Sequence, residues 1–87
     1  MDRSIIDEYE EMIVNFGAFS YSNEKMAAIL LINEKQIANE MEDKNSDFYR
    51  LYSKGKNMRD YVLDLKLFEM AQSGDLKALD EFYARVD

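Results

Sequence analysis

Apolar residues recur every three or four positions along almost the whole 87-residue chain, the period of amphipathic helices and not the alternation of strands. Ile5, Ile6, Tyr9, Met12, Ile13 and Phe16 form a first stripe, opened by Ser4 with Asp7 three residues on and closed by Gly17. That spacing predicts one helix with a capping box at its start and a glycine stop at its end. Ser22 then caps a short helix carrying Met26, Ala27, Ile29 and Leu30 and ending near Leu31, with Tyr21 placed to staple onto Met26. A third helix is predicted from Glu34 to about Glu42, with Ile37 and Met41 one turn apart on its buried side.

Ser46 caps a fourth predicted helix through Phe48, Tyr49, Leu51 and Tyr52 to Gly55, and Asn57 caps a fifth running from Met58 to about Ser73. On this fifth helix Met58, Tyr61, Val62, Leu65 and Phe68 fall on one side and Leu63, Leu67 and Met70 nearly opposite. Two apolar sides need two partners, so the stripe of Leu63, Leu67 and Met70 is either covered by the last helix or left as an oligomer interface. Gly74 ends this helix, Asp75 caps the last, and Leu76, Leu79, Phe82, Tyr83 and Val86 supply its apolar side. With no proline and glycine only at 17, 55 and 74, each at the end of a helical pattern, the prediction is an all-α fold of five or six helices. One small helical domain over residues 1–87 is expected, with a helix pair at 22–42 and a helical hairpin at 57–86.

Composition narrows the chemistry. There is no histidine and no cysteine, which removes disulfides, thiolate and imidazole metal sites and every nucleophile or base of those types. Asp43-Lys44-Asn45-Ser46-Asp47 imitates the start of a calcium loop, but Phe48 stands at the glycine position and Lys54 at the closing glutamate. Asp7, Glu8, Glu10 and Glu11 are spread around the first helix and read as a solvated face. No catalytic residue, metal or cofactor is assigned, and a non-enzymatic protein is expected. No apolar run reaches the ~18 residues of a membrane span, and Met1-Asp2-Arg3-Ser4 lacks the layout of a secretion signal. A cytoplasmic protein is expected.

The formal charge is −7, and all of it lies in residues 1–43, which hold three basic side chains against ten acidic ones. The stretch 44–59 is the reverse, with Lys44, Arg50, Lys54, Lys56 and Arg59 against Asp47 alone. Such a local positive segment suits phosphate contacts; a solvated polar surface is the alternative reading.

Segment 22–41 has the layout of a helix-turn-helix: a polar cap, Ala27 where two helices cross, Leu30 and Ile32 flanking the turn, and Ile37 anchoring the second helix. Only a small residue fits where two short helices cross steeply, and aliphatic anchors make the outer face of the second helix stand proud. That face carries Lys35, Gln36 and Asn39, side chains able to hold phosphates or read base edges, with Glu42 and Asp43 at its end. Leu31 stands where this motif commonly has glycine, so either its backbone is left-handed and strained or the turn differs.

Downstream come Phe48-Tyr49-Arg50-Leu51-Tyr52-Ser53-Lys54-Gly55 and then Met70-Ala71-Gln72-Ser73-Gly74-Asp75-Leu76-Lys77-Ala78-Leu79. Over roughly residues 20–86 this order resembles the small terminase subunits of tailed bacteriophages, in which a helix-turn-helix precedes a hairpin turning on Ala-x-x-Gly-Asp-x-x-Ala. The resemblance implies a DNA-recognition component of a genome-packaging motor that binds double-stranded DNA, forms a homo-oligomeric ring through its central helices and hands DNA to a large ATPase subunit. It places Lys35, Gln36 and Asn39 on DNA, with Lys44, Arg50, Lys54 and Lys56 as phosphate clamps. The alternative is an acidic helical protein-interaction module without DNA binding.

Overall fold

The computed structural model describes residues 1–74 and 76–85. The protein is all-α, and among the described residues its elements are α1 (Arg3–Glu8), α2 (Glu10–Ala18), α3 (Asn23–Leu30), α4 (Glu34–Glu42), α5 (Asp47–Gln72) and α6 (Leu76–Arg85). They divide into two compact units, Met1–Asn57 and Met58–Asp87. The expected Asp75 cap and the apolar Val86 lie outside the described residues, as does the side chain of Ala78.

The first unit holds the core. Ile6, Ile13, Phe16, Met26, Ala27, Leu30, Ile37 and Phe48 are buried, and Met1, Tyr9, Tyr21, Ile32, Met41, Leu51 and Tyr52 pack around them. Every one of α1 to α5 contributes, so no pair of helices in this unit is held by local propensity alone. Polar groups tie the ends of the elements together. Ser46 Oγ accepts from the Tyr49 N–H at 3.0 Å as the cap of α5 and donates to the Glu40 carbonyl at 2.8 Å, joining the end of α4 to the start of α5. The Met1 α-amino group donates to Glu40 Oε1 at 2.8 Å, a bond that raises the pKa of the amine above its ordinary value.

Three predicted elements are corrected. The first helix is broken at Tyr9 (φ −109°, ψ 20°), although the Tyr9 N–H still reaches Ile5 and its carbonyl still accepts from Ile13. Its cap is Asp2, whose carboxylate accepts from the Ser4 N–H at 3.0 Å, so Ser4 and Asp7 form no capping box. The predicted fourth and fifth helices are one 26-residue helix, because Gly55 does not end a helix and Asn57 does not start one. Asn57 is compatible with a helix interior, and a single internal glycine costs only about 1 kcal/mol there.

The reason for Gly55 lies across the core. A Cβ built on Gly55 would overlap the Val14 carbonyl, with its carbon at 2.7 Å and the Ala18 nitrogen at 2.9 Å. A Cβ on Gly17, likewise inside α2, would overlap the Tyr52 carbonyl of α5, with that carbon also at 2.7 Å. The two buried glycines therefore face each other's helix, and α2 and α5 cross backbone to backbone. Of the three glycines, only Gly74 (φ +95°) serves as a left-handed helix stop. The turns after α2 and α3 instead place non-glycine residues, Ser20 (φ 56°) and Leu31 (φ 57°), in the left-handed region.

The second unit is a hairpin of the later part of α5 with α6, turning at Gly74. Phe68 and Phe82 meet with ring centroids 5.5 Å apart, and Arg85 donates to Asp64 Oδ1. Those two contacts run in opposite chain directions, so α6 lies antiparallel against α5. It covers the sector holding Asp64, Leu67 and Ala71, which lies between the two apolar stripes, and leaves much of both exposed. The predicted choice between intramolecular cover and exposure for Leu63, Leu67 and Met70 thus resolves unevenly: Leu67 is half-buried, while Leu63 and Met70 are exposed.

The crossing makes a prediction whose sign opposes helix propensity. Replacing an internal helical glycine by alanine normally gains close to 1 kcal/mol, but a methyl pressed into a backbone carbonyl forces the helices apart. Gly17→Ala and Gly55→Ala should each destabilise the fold by about 2 kcal/mol or more, read as a lower midpoint in thermal unfolding followed by circular dichroism. Gly74→Ala, with nothing within 4 Å of its added methyl, should cost only the backbone strain of about 1 kcal/mol. A neutral or stabilising Gly55→Ala would refute the close crossing.

Candidate nucleic-acid interface

α3 and α4 form a helix-turn-helix pair. The Ser22 hydroxyl accepts from the Lys25 N–H at 3.2 Å to start α3, and Asn33 Oδ1 accepts from the Lys35 N–H at 2.8 Å to start α4. Between them Leu31 takes φ 57°, ψ 44°, and both its own N–H and that of Ile32 close onto the Ala27 carbonyl. The turn is the one glycine usually serves, held here by a leucine. Ala27 is buried at the pair, and Met26, Leu30 and Ile37 complete its inner side. Leu31 itself is 91% exposed, so it contributes backbone geometry and almost no burial.

With Ile37 fully buried, the helical period sends Lys35, Gln36 and Asn39 to the other side of α4, and all three are exposed. They span about a third of the circumference, in the arrangement that lets one helix face lie along a groove. Glu42 falls on the same face by the same count, so the last turn of α4 carries negative charge beside Asn39. Asp43 leaves the helix in an extended conformation, and its carboxylate accepts from the Asn45 N–H at 2.9 Å. Lys44 is exposed in that turn.

The basic residues of α5 are placed differently. Arg50 shares a shallow groove with Arg3, Asp7, Glu10 and Asp47, with Ile6 and Leu51 at its floor. Arg3 donates to Asp47 Oδ2 at 3.0 Å across this groove. One turn along, Lys54 lines a second groove with Asp7, Glu8, Glu10, Glu11 and Val14. Arg50 and Lys54 therefore look onto the acidic side of α1 and α2, whereas Lys56 lies well over 100° around α5 from them and is exposed. The structure brings Arg50 and Lys54 together with carboxylates and groups Lys35, Gln36 and Asn39 on another helix.

The carboxylates that line the grooves with Arg50 and Lys54 escape a reading of the sequence, although one signal is present. A segment of residues 1–43 carrying the whole net charge of −7 precedes a locally positive one, and such segments attract when a fold packs them side by side. Among the described residues no group of three or more acidic side chains is arranged to hold a metal ion, and no helix is long and apolar enough to cross a membrane. No family model, curated protein or solved structure matches the chain.

Leu31 gives a direct test of the turn. Since a leucine in the left-handed region is strained by roughly 1–2 kcal/mol and its side chain is 91% exposed, Leu31→Gly should stabilise the protein by about 0.5–1 kcal/mol in urea unfolding. A loss of stability would mean that this turn does not hold a left-handed residue.

Proposed function

We propose that this chain is a non-enzymatic, self-assembling protein that binds double-stranded DNA through α4, similar in role to the small terminase subunit of a phage packaging motor. In that role it works in the cytoplasm of the host and passes DNA to a large ATPase subunit. The observation that carries the reading is the α3–α4 pair, with Ala27 at the crossing, a left-handed residue at the turn and Lys35, Gln36 and Asn39 together on the exposed side of the second helix. Gln and Asn offer the bidentate match to adenine in the major groove, and Lys35 at the start of the helix offers a phosphate contact. Lys44 and Lys56 are additional exposed cations for the DNA backbone.

Charge works against affinity. Glu42 on the reading face and the carboxylates beside Arg50 and Lys54 reduce the number of phosphates the protein neutralises, so binding is weak and its salt dependence shallow, set by the few cations left facing DNA. The same placement favours the second reading, an acidic protein-interaction module: Arg50 and Lys54 line grooves with the chain's own carboxylates, and its net charge is −7.

Fluorescence anisotropy of a labelled duplex at two salt concentrations separates the two. DNA binding requires a dissociation constant that rises with salt. Lys35→Ala should weaken it and lower the salt slope by about one unit, while Lys54→Ala, whose charge already faces carboxylates, should change the slope by less. Asn39→Ala should cost about 1–3 kcal/mol on the preferred sequence and little on others. Absence of binding at low salt, with the helices intact, would discard the DNA reading in favour of the interaction module.

A further inference from the structure

Arg50 and Lys54 stand one turn apart on α5, and Asp7 and Glu10 line both of the grooves that these two cations border. The glycine crossing sets this placement. Gly55 meets the backbone of Val14; Glu10 lies one turn before Val14 on the same face of α2, and Lys54 precedes Gly55, so the close approach brings the acidic side of α1 and α2 beside the two cations. Neither cation is locked there. Among the described residues Arg50 and Lys54 form no ion pair, whereas Arg3, in the same groove as Arg50, pairs with Asp47 and Asp7. Glu10 likewise makes no ion pair or side-chain hydrogen bond with the described residues. Asp7, Glu10, Arg50 and Lys54 are all exposed.

We propose that this juxtaposition is autoinhibitory: Arg50 and Lys54 are phosphate clamps that Asp7 and Glu10 hold off duplex DNA. A phosphate that approaches either cation enters a groove whose walls also carry Asp7 and Glu10, and those like charges repel it. The carboxylates therefore compete with the DNA backbone for the same two cations. Competition accounts for the geometry better than a structural role does, because a structural ion pair would show direct bonds and Arg50, Lys54 and Glu10 make none among the described residues. Two carboxylates suffice for two clamps, since each lines both grooves. Phosphate contacts carry no sequence information, so the shield acts on the sequence-independent part of binding and leaves discrimination to Lys35, Gln36 and Asn39 on α4. The inference rests on the DNA-binding part of the proposed function and adds its regulation.

Fluorescence anisotropy of the full chain with two labelled duplexes of unrelated sequence, over a salt series, tests the shield. Glu10→Gln removes one carboxylate without breaking a bond, and Asp7→Asn with Glu10→Gln removes both. Glu69→Gln makes the same change of net charge at an exposed residue of the hairpin unit that lines neither groove. Glu10→Gln should bind both duplexes about threefold tighter or more at low salt, and the double variant tighter still, with the salt slope steeper by about one unit for each clamp regained. Glu69→Gln should gain far less. Lys54→Ala supplies the coupling: it should change the slope by well under one unit in the unaltered chain and by about one unit in the Glu10→Gln chain. Helical circular dichroism checks folding, and Glu10→Gln alone carries the test if the double variant does not fold. Where the unaltered chain binds, an equal gain from Glu69→Gln would reduce the effect to net charge and overturn the shield while the DNA reading stands, as would unchanged binding by Glu10→Gln and the double variant. No binding by the unaltered chain or any variant at low salt would overturn the DNA reading and the shield together.

Discussion

The close crossing of α2 and α5 is the constraint on which the first unit depends. Gly17 and Gly55 each stand where a Cβ would enter the other helix's backbone, so the two helices approach more closely than side chains normally allow. That approach brings Phe16 and Ile13 of α2 and Phe48 of α5 into one core with the α3–α4 pair. It also sets the charge pattern of the surface. With α1 and α2 held against α5, Asp7, Glu8, Glu10 and Glu11 lie beside Arg50 and Lys54, and the positive segment of the sequence becomes partly neutral in the fold.

The helix-turn-helix is held to this frame by short-range chemistry. Ser22 and Asn33 cap its helices, Ala27 and Ile37 anchor it inside, and Glu40 and Ser46 connect the end of α4 to the start of α5. Its outer face is therefore presented by a rigid support, the condition under which a few polar side chains can read a partner. Arg3 with Asp47 is an ion pair between largely exposed side chains, the kind that contributes little to stability. The burial around Ile13, Met26, Ile37 and Phe48 carries that weight instead.

The hairpin unit follows a different principle. Ring contacts and one charged pair hold its two helices together, but apolar side chains of both α5 and α6 are left exposed, and among its described residues no side chain is fully buried. One chain thus combines a unit with a buried core and a unit in which the described apolar side chains stay partly or largely exposed.

Much of this was legible from residue order. The all-α class, the limits of α3 and α4, the caps Ser22 and Ser46, the inner positions Ala27, Leu30 and Ile37 and the two stripes of α5 follow from periodicity and capping chemistry, which act between neighbours a few residues apart. The left-handed Leu31 was one of two open alternatives, since only the surrounding helices decide whether that strain is borne. Gly17 and Gly55 have the sequence pattern of helix stops and are not, because a glycine required for close approach looks the same in sequence as one required for a turn. The environment of Arg50 and Lys54 was equally hidden, since their carboxylate neighbours lie some forty residues away along the chain. Local sequence determined which segments are helical and which residues are apolar, basic or small; only packing over long separations decided which backbones touch, which charges are met and which apolar face remains uncovered.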